Sequence, residues 1–222
     1  MIAFLGSSWQ WVIVLVVVLL LMASLAVGGL YSARSALMGE RLARNQLDLS
    51  VARQAAEAAL RDAEKDLMLA GGTKPTGAVC DRGATTRPVS SHLALFSTCK
   101  AGQCDTLSEA NRLAADYGTG GTGGSTAEVW WPTSKGGLWN DAPSSKPVLG
   151  GVAKCASFTG GVPLGTFTGA SAILGVSQQP EYLLELVRKG QDTVFRITAR
   201  GFGMRSGTEV VMQTYFRVPD QL

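Results

Sequence analysis

The stretch QAAEAALRDAE, residues 54–64, decides the fold, because its alanines are not scattered. Together with their neighbours they form a series, Leu49, Ala52, Ala56, Ala59, Ala63, Leu67 and Ala70, that recurs at intervals of three and four. That spacing lines one face of an α-helix. Arg53, Glu57 and Arg61 follow one another at intervals of four on another face, where opposite charges support a helix. Small side chains confined to one face let a second layer approach closely, with larger side chains of that layer filling the space. The stripe therefore predicts a helix covered by a sheet.

Working back toward the N-terminus, no proline occurs between Met1 and Leu69, and the first breakers are Gly71-Gly72 and Pro75. The helix is thus expected to run through nearly all of the preceding sequence. Its first half differs from its second: no charged side chain occurs from Met1 to Ala33, and Val12 to Leu30 (VIVLVVVLLLMASLAVGGL) is long enough to cross about 30 Å of hydrocarbon. A cleaved secretion signal has a basic start and a shorter apolar region. The start here, MIAFLG, carries no Lys or Arg, so a retained membrane helix is expected. Gly28-Gly29 marks either a point of bending or a place where another helix packs closely.

Working forward, residues 71–180 are rich in Gly, Ser, Thr and Pro, with GTGGTGGST (118–126) the extreme case. Two or three short strands and a short helix near Ser108 to Tyr117 are expected there. The end is regular: EYLLELVRK (181–189), TVFRITARGFG (193–203) and TEVVMQTYFRV (208–218) read as a three-stranded antiparallel meander over 181–218. Phe195, Ile197 and Ala199 alternate with Arg196, Thr198 and Arg200, and Val210, Met212 and Phe216 with Val211, Gln213 and Tyr215, predicting one apolar and one wet face.

The 222 residues, with net charge +3, suffice for one membrane segment and one modest domain. Basic residues are dispersed among acids, which argues against nucleic acid as a partner. Cys80, Cys99, Cys104 and Cys155 all follow the helix and contain no CxxC pair, so disulfides are expected rather than zinc, and with them a compartment outside the cytoplasm. The basic residues after the span, Arg34, Arg41, Arg44 and Arg53, point the other way by the rule that positive charge stays inside. Neither the lone His92 nor the glycine-rich loop carries a catalytic or phosphate-binding signature, and no cofactor, metal or enzymatic activity is expected. Trp130, Trp131 and Trp139 form either a contact surface or the plug of a small core.

An apolar helix continuing as an amphipathic spine, capped by a disulfide-bearing sheet domain, resembles the layout of type IV pilins. The segment ERLARNQLDLSVARQAAEAALRDAE (40–64) resembles the PilX family of minor pilins, whose helix carries a pattern close to ERMAGN followed by FQAAEAALRDAE. CKAGQC (99–104) is similar to that family's Cys-x-x-Gly-x-Cys loop, and FRITARGFG with VVMQTYFRV to its closing strands. The resemblance implies an α+β pilin-like fold, divided as 1–33 leader and polymerisation helix, 34–70 the amphipathic half of that helix, and 71–222 a periplasmic domain. It implies a subunit held in the inner membrane and then drawn into the pilus near its tip, where it primes assembly and helps present a large adhesin, with consequences for adhesion and twitching motility. Implied partners are other minor pilins and the major pilin through the N-terminal helix, the tip adhesin, the inner-membrane assembly machinery and prepilin peptidase. The candidate cleavage site is Gly6 before Ser7, in a leader without a basic residue. Counted from Ser7, the position where major pilins carry Glu is Trp11, and no acid precedes Glu40. Such an absence is similar to that in K-type pseudopilins of type II secretion and suits a subunit with nothing above it. Of three possible disulfide pairings, Cys99–Cys104 with Cys80–Cys155 is expected. The alternatives are a K-type pseudopilin and a membrane-tethered periplasmic binding module built on the tryptophan zone.

Overall fold

A computed structural model describes residues 5–69, 74–82, 101–105, 130–132, 134, 139, 155, 160–189 and 192–218. One helix, α1, runs from Leu5–Met68, and strands follow in the order β1 (Gln103–Asp105), β2 (Val162–Pro163), β3 (Glu181–Lys189), β4 (Asp192–Phe202) and β5 (Glu209–Phe216). The helix passes through Gly28 and Gly29 without interruption and stops ahead of Gly71-Gly72, where Leu69 N still donates to Lys65 O at 3.0 Å. The chain divides into two compact units, Met1–Leu47 and Asp48–Leu222.

In the second unit the sheet runs β1-β3-β4-β5, with β2 beside β3. The antiparallel meander is β3, β4 and β5, in a register that sets Glu181 opposite Arg200 and Phe195 opposite Phe216. β1 joins β3 in parallel, so a short segment from the Gly-rich middle of the chain completes the sheet. The expected short helix at 108–117 and the loop 118–126 lie outside the described residues.

The main core forms where one face of the sheet meets the helix: Tyr182, Leu184, Leu186, Phe195, Ile197 and Ala199 pack on Ala59, Ala63 and Leu67. Closeness is set by glycine as much as by alanine. Gly201 in β4 lies so near the helix that a methyl group there would run into the backbone of Ala52 and Ala56. One turn further, a Cβ at Gly203 would strike the carboxylate of Asp48.

The opposite face is not wet as the alternation predicts. Glu181, Leu183 and Glu185 of β3 and Thr198 and Arg200 of β4 are buried, with Trp139 and Trp130 packed at Leu183 and Trp139 also on Glu181 and Arg200. Only β5 follows the simple pattern, with Glu209, Val211, Gln213 and Tyr215 exposed. Alternation of charge and apolarity could not reveal this, because the charges neutralise one another across the strands and so tolerate burial. The expected Arg53–Glu57–Arg61 ladder is absent: none of the three makes an ion pair among the described residues, whereas Arg44 and Glu40 pair at 2.6 Å. Exposed pairs of this kind are worth less than about 1 kcal/mol, too little to fix the side chains.

Candidate assembly surface

Among the described residues of the first unit, the helix has no covering layer of its own. Every large apolar side chain described from Trp9 to Leu47 is exposed, from 45% at Val18 to 77% at Tyr31. Water is a poor solvent for such a surface, and about 20 such residues in one helix require lipid or other helices around them. Arg34, Glu40, Arg41 and Arg44 lie beyond the uncharged part of this run, which ends at Ala33, so Trp11, exposed at 75%, has no acid near it in sequence. Gly6 and Ser7 lie within α1.

In the second unit the same helix becomes a spine that holds the domain through three buried aspartates. Asp48 Oδ1 accepts from Met204 N at 2.6 Å and Arg205 N at 3.3 Å, and Oδ2 accepts from the Thr208 hydroxyl, so one carboxylate organises the whole β4–β5 turn. The Thr208 hydroxyl and these two amides hold its carboxyl below the usual range, against the opposing effect of burial. Asp62 accepts from Gly165 N at 2.8 Å and from the Thr168 hydroxyl, fixing the turn after β2. Burial pushes the Asp62 carboxyl up despite those hydrogen bonds.

Asp66 binds two elements at once. The Arg82 guanidinium clamps it with Nε at 2.9 Å and Nη2 at 2.6 Å, and the Tyr182 hydroxyl donates to Oδ2 at 2.9 Å. Arg82 also lies 3.8 Å above the ring of Phe167 and donates to Ala101 O at 3.2 Å. Burial alone would weaken the charge on Arg82, but Asp66 and Tyr182 together outweigh it and raise its pKa. Burial, reinforced by Asp66, drives the Tyr182 phenol well above its ordinary value. The Arg82 segment is anchored again by the Cys80–Cys155 disulfide.

Ala52, Ala56, Ala59, Ala63 and Leu67 are buried. Leu49 is 49% exposed, because Asp48 beside it takes the inward position and Leu49 is turned away. Ala70 and Cys99 lie outside the described residues, and Cys104 is disulfide-bonded. Of the tryptophans, Trp139 is 1% exposed and its Nε1 donates to Glu181 Oε1 at 2.6 Å, while Arg200 stacks on its ring at 4.8 Å. It is a core residue, not part of a contact surface. Sequence reading missed the aspartates by assigning charge to the outer faces; the available signal was that Asp48, Asp62 and Asp66 fall at helical spacing beside the alanines.

A long apolar helix packed on a small mixed sheet with a disulfide defines the pilin-like class of α+β protein. Two family models agree with that architecture: Type IV pilus assembly protein PilX C-term matches residues 97–218 and PilX N-terminal matches residues 13–61. The chain belongs to the PilX family, as a minor pilin of type IV pilus assembly. No curated protein and no solved structure matches it.

Proposed function

We propose that this minor pilin primes assembly of a type IV pilus and forms part of the tip complex that presents an adhesin. The observation that carries the reading is the first unit itself: an apolar helix whose described side chains are exposed, continuing into the buried alanine face of the second unit. Such a helix is inserted in the inner membrane first, with the domain in the periplasm where its disulfide forms, and passes from lipid to the helices of neighbouring subunits. Prepilin peptidase cuts between Gly6 and Ser7. Trp11 then stands where a carboxylate would seek a neighbour's amine, and its apolar character favours a terminal position over an internal one. The subunit acts with other minor pilins and the major pilin through residues 7–33, and its role is structural.

Complementation tests this. In a strain lacking the protein, the wild-type gene should restore surface pili, while a chimera whose residues 1–33 are replaced by an unrelated membrane anchor should not. A chimera that restores pili fully would favour a tethered domain acting alone.

A further inference from the structure

Polar residues begin just beyond the uncharged run, at Arg34. Glu40 neutralises Arg44 at 2.6 Å, but among the described residues neither Arg34 nor Arg41 has an ionic partner. Both lie on exposed helix, seven residues apart, and therefore on the same side two turns apart. Their depth is set by the aromatic residues. Trp9 and Trp11 are exposed at one end of the apolar run and Tyr31 at the other. The separation from Trp11 to Tyr31 is about 30 Å along the axis, the thickness of the hydrocarbon layer. Tyrosine and tryptophan favour the two membrane interfaces, so Tyr31 marks the level of one headgroup layer.

Arg34 lies about 4.5 Å past Tyr31, inside a headgroup layer about 5–7 Å deep. Arg41 starts about 10 Å further out, but Cα–Cβ bonds in a helix lean toward its N-terminus and long basic side chains extend along the surface to reach charge. Two guanidiniums on one side of the helix thus reach toward the same phosphate layer. We propose that residues 31–41 form a collar that binds the phosphates of anionic phospholipids through Arg34 and Arg41. The collar rests on the reading of residues 12–30 as a membrane span, and it accounts for a basic segment on the side of the membrane that the disulfides assign to the domain. Phosphate geometry suits arginine, which donates two parallel hydrogen bonds to one oxyanion.

The test uses the full-length protein in vesicles of equal phosphatidylcholine and phosphatidylglycerol, re-extracted in mild detergent, with retained lipid quantified by mass spectrometry. Phosphatidylglycerol should be enriched over phosphatidylcholine by about five-fold for each arginine engaged. In the R34Q/R41Q variant the enrichment should vanish, whereas E40Q/R44Q, which removes a neutral pair, should keep it. Equal retention in wild type and R34Q/R41Q overturns the proposal. So does loss of R34Q/R41Q from surface filaments with lipid retention intact, which would assign the arginines to a carboxylate-bearing pilus subunit. Resistance to alkaline carbonate extraction is measured alongside: a protein released by carbonate overturns the membrane span and the collar together, while a resistant protein without enrichment overturns the collar alone.

Discussion

Each buried aspartate of α1 ties a different segment to the helix, and the titrations of Asp48 and Asp62 pull stability in opposite directions. The Asp48 carboxyl is held below its ordinary value by Thr208 and the turn amides, so its contribution is complete above the unfolded value, about 3.9, and is lost as pH falls through its lowered folded value. The Asp62 carboxyl is raised by burial, so its contribution is greatest below the unfolded value and declines as pH rises through the raised one. Denaturant unfolding of the full chain in micelles across a pH series should therefore show Asp48→Asn losing part of the acid-side slope and Asp62→Asn losing part of the decline above it. At neutral pH, Asp48→Asn should melt several degrees below wild type, because the turn amides and Thr208 lose an ionised acceptor. Arg82→Ala leaves the Asp66 carboxylate buried without its cation and should cost about 3–5 kcal/mol by the same unfolding measurement. None of these roles was legible in the sequence. An aspartate facing solvent and one facing a sheet look alike until the partners, more than a hundred residues away for Thr168 and Thr208, are brought to them.

At the scale of elements, the helix and the meander were legible because each repeats a period over many residues. The stripe of Ala52, Ala56, Ala59 and Ala63 fixed which side of the helix the sheet covers, and the alternation in β4 fixed which side of the sheet does the covering. What escaped was the second face of the sheet, where Glu181–Arg200 is closed off under Trp139 and Glu185 is buried in its pair with Arg196. Charges read as solvated unless their cross-strand register is known. The contact between elements depends on Gly201, and Gly201→Ala should destabilise the fold by about 3 kcal/mol, since the added methyl meets helix backbone that cannot rotate aside. Gly29→Ala, where nothing lies within 4 Å, should leave unfolding of the domain unchanged. Thermal melts of the two variants side by side separate close approach from helix propensity.

For the whole molecule, the two units have different needs. In the domain the alanine face of the helix packs on the sheet, and a disulfide spanning 75 residues of sequence restrains its unfolded chain. Removing that bridge by Cys80→Ser with Cys155→Ser should lower stability by about 4 kcal/mol, measured by denaturant unfolding against the oxidised wild type. The N-terminal unit satisfies nothing by itself, and that asymmetry makes the chain a component to be assembled. The decisive measurement is the mass of the N-terminal peptide of this protein in surface filaments sheared from cells, compared with the membrane fraction. A peptide beginning at Ser7 in the filaments is the predicted result. A protein found only in membranes, with Met1 intact, would contradict its role as an assembled pilus subunit.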